Sequence, residues 1–199
     1  MARHERARAP RPSVSRTQIA STAARLMAQD GITDMAQAKK KAARQLGLPD
    51  NTPLPDNAEV ETELRLYQAL YQSDTQPALL RQLRAEAARI MEFLADFRPY
   101  LTGSVLEGTA SSFSSIDLML FADSAKEVEI FLLDRGMDFE HLEPRNDKAE
   151  AVLQLSTPAA DIKLIIFPPQ LERQSFKHRD GRPKERMRLD ALQQMLEHP

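Results

Sequence analysis

The 199-residue chain contains no cysteine and no tryptophan. Without cysteine there are no disulfides, no thiolate metal sites and no cysteine nucleophile. No run approaches ~18 uninterrupted apolar residues, which excludes a membrane-spanning helix of the usual kind. Behind the arginine-rich start there is no apolar signal-peptide core, so a cytoplasmic protein is expected rather than a secreted one. A dominant charge is missing as well. The 27 Lys and Arg against 29 Asp and Glu leave a net charge of −2, so overall charge does not mark a nucleic-acid binder. Dinucleotide-binding, P-loop and serine-elbow glycine motifs are all absent. His4, His141, His178 and His198 are scattered without an i,i+4 pair, which argues against zinc. What is present, 42% hydrophobic and 28% charged residues, is the make-up of a folded globular chain.

The pattern along the chain divides in two. Residues 1–16 form a basic tail (Arg3, Arg6, Arg8, Arg11 and Arg16 against Glu5) interrupted by Pro10 and Pro12, with no apolar periodicity and the character of a disordered segment. From 17 to 98 the apolar period is helical. Ser15-x-x-Gln18 and Asp56-x-x-Glu59 have the form of capping boxes. Ile19, Ala23, Leu26 and Met27 mark a first helix, and a second is expected from about Asp34 to Leu46. Val60, Leu64, Tyr67 and Tyr71 mark a third. A fourth carries Leu80, Leu83, Ala87, Ile90, Met91, Leu94 and Phe97, with Pro77 in its first turn and Pro99 as its stop.

After Pro99 the period becomes two. Strands are expected over 100–106, 115–121, 137–142, 151–155 and 161–167. A short helix follows the second strand, and a last helix spans about 189–196. The expected fold class is α+β, with a helical N-terminal half packed on a small mixed sheet formed by residues 99–199.

One constellation carries chemistry. Gly103-Ser104 at a strand end is followed by ten residues and then by Ser115-Ile116-Asp117-Leu118; Asp161 opens a later strand. A Gly-Ser pair allows close backbone approach to a phosphate and adds a hydroxyl donor. Positions 115 and 117 stand two apart on a strand, so their side chains share a face. Carboxylates at two such positions can bridge two divalent cations about 4 Å apart, with a third carboxylate from a neighbouring strand completing one site.

This layout resembles the signature of the nucleotidyltransferase fold shared with DNA polymerase beta, over roughly residues 98–167. The resemblance implies a nucleotidyl group moved from a nucleoside triphosphate to an acceptor, a nucleic acid or a protein among the candidates, with Mg²⁺ or Mn²⁺. It implies that Gly103 and Ser104, with Lys163, contact the nucleotide. It assigns Asp117 and Asp161 to the metal and the chemistry. Ser115 stands where the family has its first carboxylate, and a neutral hydroxyl is a far weaker ligand for Mg²⁺. The site is therefore expected to be degenerate, and a catalytically inactive binding or regulatory module is the alternative.

Plainer readings compete. Asp117 can be the polar face of an amphipathic strand, Asp161 an edge residue and Gly103 a bulge glycine. The agreement of all three with one template favours the site. Two basic stretches, Lys39-Lys40-Lys41 on the second helix and Gln174 to Arg188 near the C-terminus, offer phosphate contacts or solvated surface. The first of these also allows nucleic-acid binding through the helical half.

Overall fold

The structure, a computed structural model, describes residues 16–144, 147–178 and 181–198. The basic tail, Ser15 of the first expected capping box, and Arg179 and Asp180 of the C-terminal basic stretch lie outside the described residues.

Three helices open the fold: α1 (Arg16–Gln29), α2 (Met35–Gln45) and α3 (Asn57–Tyr71). Asp34 caps α2 by accepting from the Gln37 amide at 2.9 Å. The second expected capping box is complete: Asp56 accepts from the Glu59 amide at 2.9 Å, and the Glu59 side chain accepts from the Asp56 amide at 2.7 Å. Ile19, Ala20, Ala23, Leu26, Ala38, Ala42 and Val60 bury against one another, so the three helices have a small core of their own. Many of these residues are alanines, which lets the helices approach closely.

The fourth helix, α4 (Gln76–Phe93), belongs to a different core. Its Leu83, Ala87, Ile90 and Met91 pack with the apolar face of the sheet. After it the chain passes through a 3-10 turn (Ala95–Phe97), and Arg98 takes a left-handed φ of 48°. Proline at 99 disfavours the right-handed α region for Arg98. Its guanidinium steadies the turn by donating to the Phe121 carbonyl at 3.0 Å and to Glu172 at 3.1 Å.

The remaining elements are β1 (Tyr100–Thr102), α5 (Ser104–Glu107), β2 (Ile116–Phe121), α6 (Ala125–Leu133), β3 (Glu140–Leu142), β4 (Ala151–Ser156), β5 (Asp161–Phe167), β6 (Arg186–Met187) and α7 (Leu189–Glu197). The six strands form one mixed sheet in the order β3-β4-β5-β2-β1-β6, with β2 and β5 parallel and every other neighbouring pair antiparallel. The fold is α+β. Among the described residues no helix is long and apolar enough to cross a membrane.

Two strand expectations are corrected, the third strand beginning at Glu140 rather than Met137. The strand beginning at Tyr100 ends at Thr102 rather than near 106, because Gly103 takes φ 74°, ψ −160°, a region open essentially to glycine alone. Val105 and Leu106 are buried on the helical turn that follows. Their apolar character reflects burial, which helix and strand share.

The register divides the sheet into two unlike faces. Ile116, Leu118 and Leu120 on β2 and Ile162, Leu164 and Ile166 on β5 point to one face, where α4, α6 and α7 cover them. Asp117, Met119 and Phe121 point to the other, beside Lys163, Ile165 and Phe167. Leu118 is fully buried at the centre of the larger core. Leu118→Ala should therefore cost about 2–5 kcal/mol of stability, read from urea denaturation. A loss below about 1 kcal/mol would contradict this account of the core.

Candidate functional site

The second face of the sheet is itself divided. Toward the C-terminal ends of β2 and β5, Tyr100, Met119, Phe121, Phe167 and Phe176 form an aromatic cluster. The segment after β5 folds back over it. Arg186 stacks on Tyr100, with its guanidinium carbon 4.7 Å from the ring centre, and donates to the Glu172 carbonyl. The Glu172 carboxylate accepts from the Tyr100 hydroxyl at 2.9 Å, from Arg98 at 3.1 Å and from Arg188 at 3.3 Å. Two cations of the C-terminal basic stretch are thus structural.

Toward the N-terminal ends of the same strands the face is polar. Asp117 pairs in register with Lys163 on one side and with Thr102 on the other. Gln154 follows beyond Lys163. One pleat earlier, roughly 7 Å along the strands, Ser115 and Asp161 continue the same row, with Ser156 paired to Asp161. All the site residues expected on strands therefore share one face. Asp161, however, is level with Ser115, and the residue level with Asp117 is Lys163.

Gly103 joins Asp117 directly. A Cβ on Gly103 would lie 2.9 Å from Asp117 Oδ2, so the carboxylate rests against the bare Cα. The absent side chain makes room for Asp117, whereas the sequence pattern pointed to room for a phosphate. The Ser115 hydroxyl donates to Asp117 Oδ1 at 2.9 Å. Ser115 thus acts as a hydrogen-bond donor to Asp117. Asp161 Oδ1 accepts from the Ser156 hydroxyl at 2.8 Å.

Gly103, Ser115 and Asp117 line a cleft of about 280 Å³ whose opposite wall is the helical bundle (Met27, the α1–α2 turn and α3), whereas Asp161 borders a second, outer cavity. Gly103, Ser104, Ser115, Asp117 and Lys163 form its sheet wall. Contacts from α3 hold the two walls together, and α4 braces the sheet wall from its own side. Gln68 donates to the Thr109 carbonyl at 3.1 Å, Arg65 to the Glu107 carbonyl at 2.8 Å and Arg84 to the Val105 carbonyl at 3.1 Å. The bundle is a cover over one half of the sheet.

The cleft also holds residues that sequence spacing did not single out as a group: Glu61 from α3, Glu107 from α5, and His178 and Lys184 from a hairpin turn. The turn closes through His178 N–H donating to the Arg182 carbonyl at 2.8 Å. Arg182 grips Glu61 with both guanidinium arms, at 2.8 and 3.1 Å, and His178 Nε2 lies 3.8 Å from Glu107 Oε1. Burial, and then the nearby Glu61 charge, push the Glu107 carboxyl above its ordinary range, while His178, Lys184 and Arg65 pull it the other way. No spacing rule relates positions 61, 107 and 178. The available signals were Glu107 standing three residues after Ser104 and the basic run itself.

Of the second-helix lysines, Lys39 donates to the Pro55 carbonyl at 3.0 Å and to Asn57 at 2.8 Å, and Lys41 pairs with Asp30 at 3.1 Å. Two of the three are thus tied within the bundle. Lys163 by contrast has no ion-pair partner among the described residues.

For metal binding the donor set is thin. Among the described residues no group of three or more His, Asp or Glu is arranged to hold a cation. The β2 strand offers one carboxylate, already bonded to Ser115. Such a set fits one cation shared with a ligand's own phosphate oxygens and does not fit a bridged pair.

No protein-family model matches the sequence, and no curated protein matches it.

Two predictions come from this geometry. Gly103→Ala places a methyl group on Asp117 in a backbone region that alanine avoids. It should cost roughly 2 kcal/mol or more, measured by thermal or urea unfolding; unchanged stability would contradict the close approach. For Glu107 the folded carboxyl binds its proton more tightly than the unfolded one. Its ionisation therefore lowers stability as pH rises through the interval above about 4.5, and the penalty vanishes as pH falls below it. Glu107→Gln should gain stability relative to the natural chain on going from pH 4 to pH 7. A difference independent of pH across that range would refute the assignment.

Proposed function

We propose that this chain is a nucleotidyltransferase-like protein that binds a nucleoside triphosphate in the cleft between bundle and sheet, and that Ser115 leaves it without the two-cation chemistry of an efficient transferase. The observation that carries the reading is the pairing of Asp117 with Lys163 in a cleft that Gly103, Ser104 and Ser115 also line, with Asp161 one pleat away on the same face. Lys163, without an ion-pair partner among the described residues and lining the cleft, supplies positive charge for phosphate oxygens. Ser104 supplies a hydroxyl beside it. Lys184 and His178 enter from the opposite rim.

One Mg²⁺ or Mn²⁺ arriving with the triphosphate would be held by Asp117 and Asp161, and it would neutralise charge on the phosphates. Ser115 orients Asp117 through its hydrogen bond but contributes no charge. The loss of the first carboxylate removes the ligand that a second cation needs.

A second reading is an active transferase working with one cation. It is favoured by the placement of Asp117 and Asp161 on one face.

The two readings separate in one set of measurements with labelled nucleoside triphosphates and Mn²⁺. The binding reading expects thermal stabilisation by nucleotide plus metal, weakened about tenfold or more in affinity by Lys163→Ala. It expects no turnover in the natural chain and measurable turnover in Ser115→Asp. Turnover by the natural chain that Asp117→Ala abolishes establishes the second reading. No stabilisation by any nucleoside triphosphate, or turnover untouched by Asp117→Ala, refutes both.

A further inference from the structure

Beyond the inner cleft, the same sheet face opens into an outer lobe of about 470 Å³. The two lobes share Thr33, Ser114, Ser115 and Lys163 in their linings. We infer that this outer lobe is the site of the nucleotide's planar base, with Phe113 as the stacking surface and Gln154 as the hydrogen-bonding edge; the inference rests on the triphosphate reading of the inner lobe.

Phe113 carries the argument. It lies in the serine-rich loop between α5 and β2, is 56% exposed, and lines the outer lobe. An exposed phenylalanine among serines forgoes the burial that stabilises most aromatic rings. Yet Phe113 is held in place. A Cβ on Gly31 would lie 2.8 Å from Phe113 Cγ, so the ring is backed by the bare Cα of the α1–α2 turn. Phe113 and Gly31 both border the cavity, and an exposed ring held beside a cavity is a platform for a second flat group.

The polar partners are placed to match. Gln154 lines the same lobe and pairs in register with Lys163. Its side-chain amide makes no hydrogen bond among the described residues. An amide offers a donor and an acceptor together, the pairing that the edge of a nucleobase presents. A ligand anionic at one end and flat and polar at the other therefore meets Lys163 at the junction, the inner lobe with its phosphates, and Phe113 and Gln154 with its base. The serine-rich loop acquires a positioning role through Phe113.

Calorimetric titration of the full chain with ATP and with inorganic tripolyphosphate, each with Mg²⁺, tests this. ATP should bind about tenfold or more tightly than tripolyphosphate. Phe113→Ala should reduce ATP to the level of tripolyphosphate without changing tripolyphosphate itself, and Phe113→Tyr should keep the preference. Because Phe113 also packs on Gly31, Gln154→Ala supplies an independent variant, expected to weaken ATP and spare tripolyphosphate. Equal affinity of the natural chain for both ligands, or equal weakening of both by Phe113→Ala and by Gln154→Ala, overturns the base site while leaving the polyphosphate reading intact. Failure of both ligands to bind the natural chain overturns the two together.

Discussion

The parallel pairing of β2 with β5 is the constraint on which the rest of the molecule depends. Side chains alternate along a strand, so the register of this one pair decides which residues enter the core. As built, Ile116, Leu118 and Leu120 join Ile162, Leu164 and Ile166 beneath α4, α6 and α7. Shifting one strand by a residue would carry Asp117 or Lys163 into that core, uncompensated, and turn a row of leucines and isoleucines to the polar face. The cost of burying such a charge far exceeds the few kcal/mol that separate folded from unfolded chains. The apolar face thus holds the polar one in place.

The polar face is shaped by what closes over it. The segment after β5 covers the aromatic half, fastened through Glu172 to Tyr100, Arg98 and Arg188. The small bundle covers the other half but leaves a gap, because its contacts run through α3 to the backbone around α5 and through Glu61 to Arg182. These contacts are polar and lie at the rim. The gap between the walls is where Asp117, Glu107, Lys163, Lys184 and His178 converge. A cleft lined by both signs of charge suits a ligand that brings its own charges, and the proposed metal-bound triphosphate is of that kind.

Much of the fold was legible in the chain because local rules govern it. The Asp56–Glu59 box starts α3, Pro77 sits in the first turn of α4, and the run from Asp161 to Phe167 is β5 from end to end. The rules failed where local preference yielded to packing. Val105 and Leu106 read as strand and form a helical turn, because Gly103 redirects the chain. The two-residue β6 exists only through its pairing with β1. Of the site, Gly103, Ser104, Ser115, Asp117 and Asp161 were legible as one spaced pattern, and the structure brings Ser115, Asp117 and Asp161 to one face of the sheet, where Lys163, which the resemblance alone implied, pairs in register with Asp117. Glu61, Glu107 and His178 were not, since three stretches far apart in sequence meet only when the bundle docks.

The amino-acid order by itself determined most of the element types, the apolar face of the long strands and the charged residues available to a site, because periodicity, capping and alternation act over a few residues. Tertiary structure alone decided that Lys163 rather than Asp161 stands level with Asp117, that Gly103 makes room for a carboxylate, that Phe113 rests on Gly31, and that a helical cover meets a sheet to form a cleft. Those outcomes depend on the register between strands and the docking between layers, quantities set by the summed burial of many side chains and carried by no short stretch of sequence.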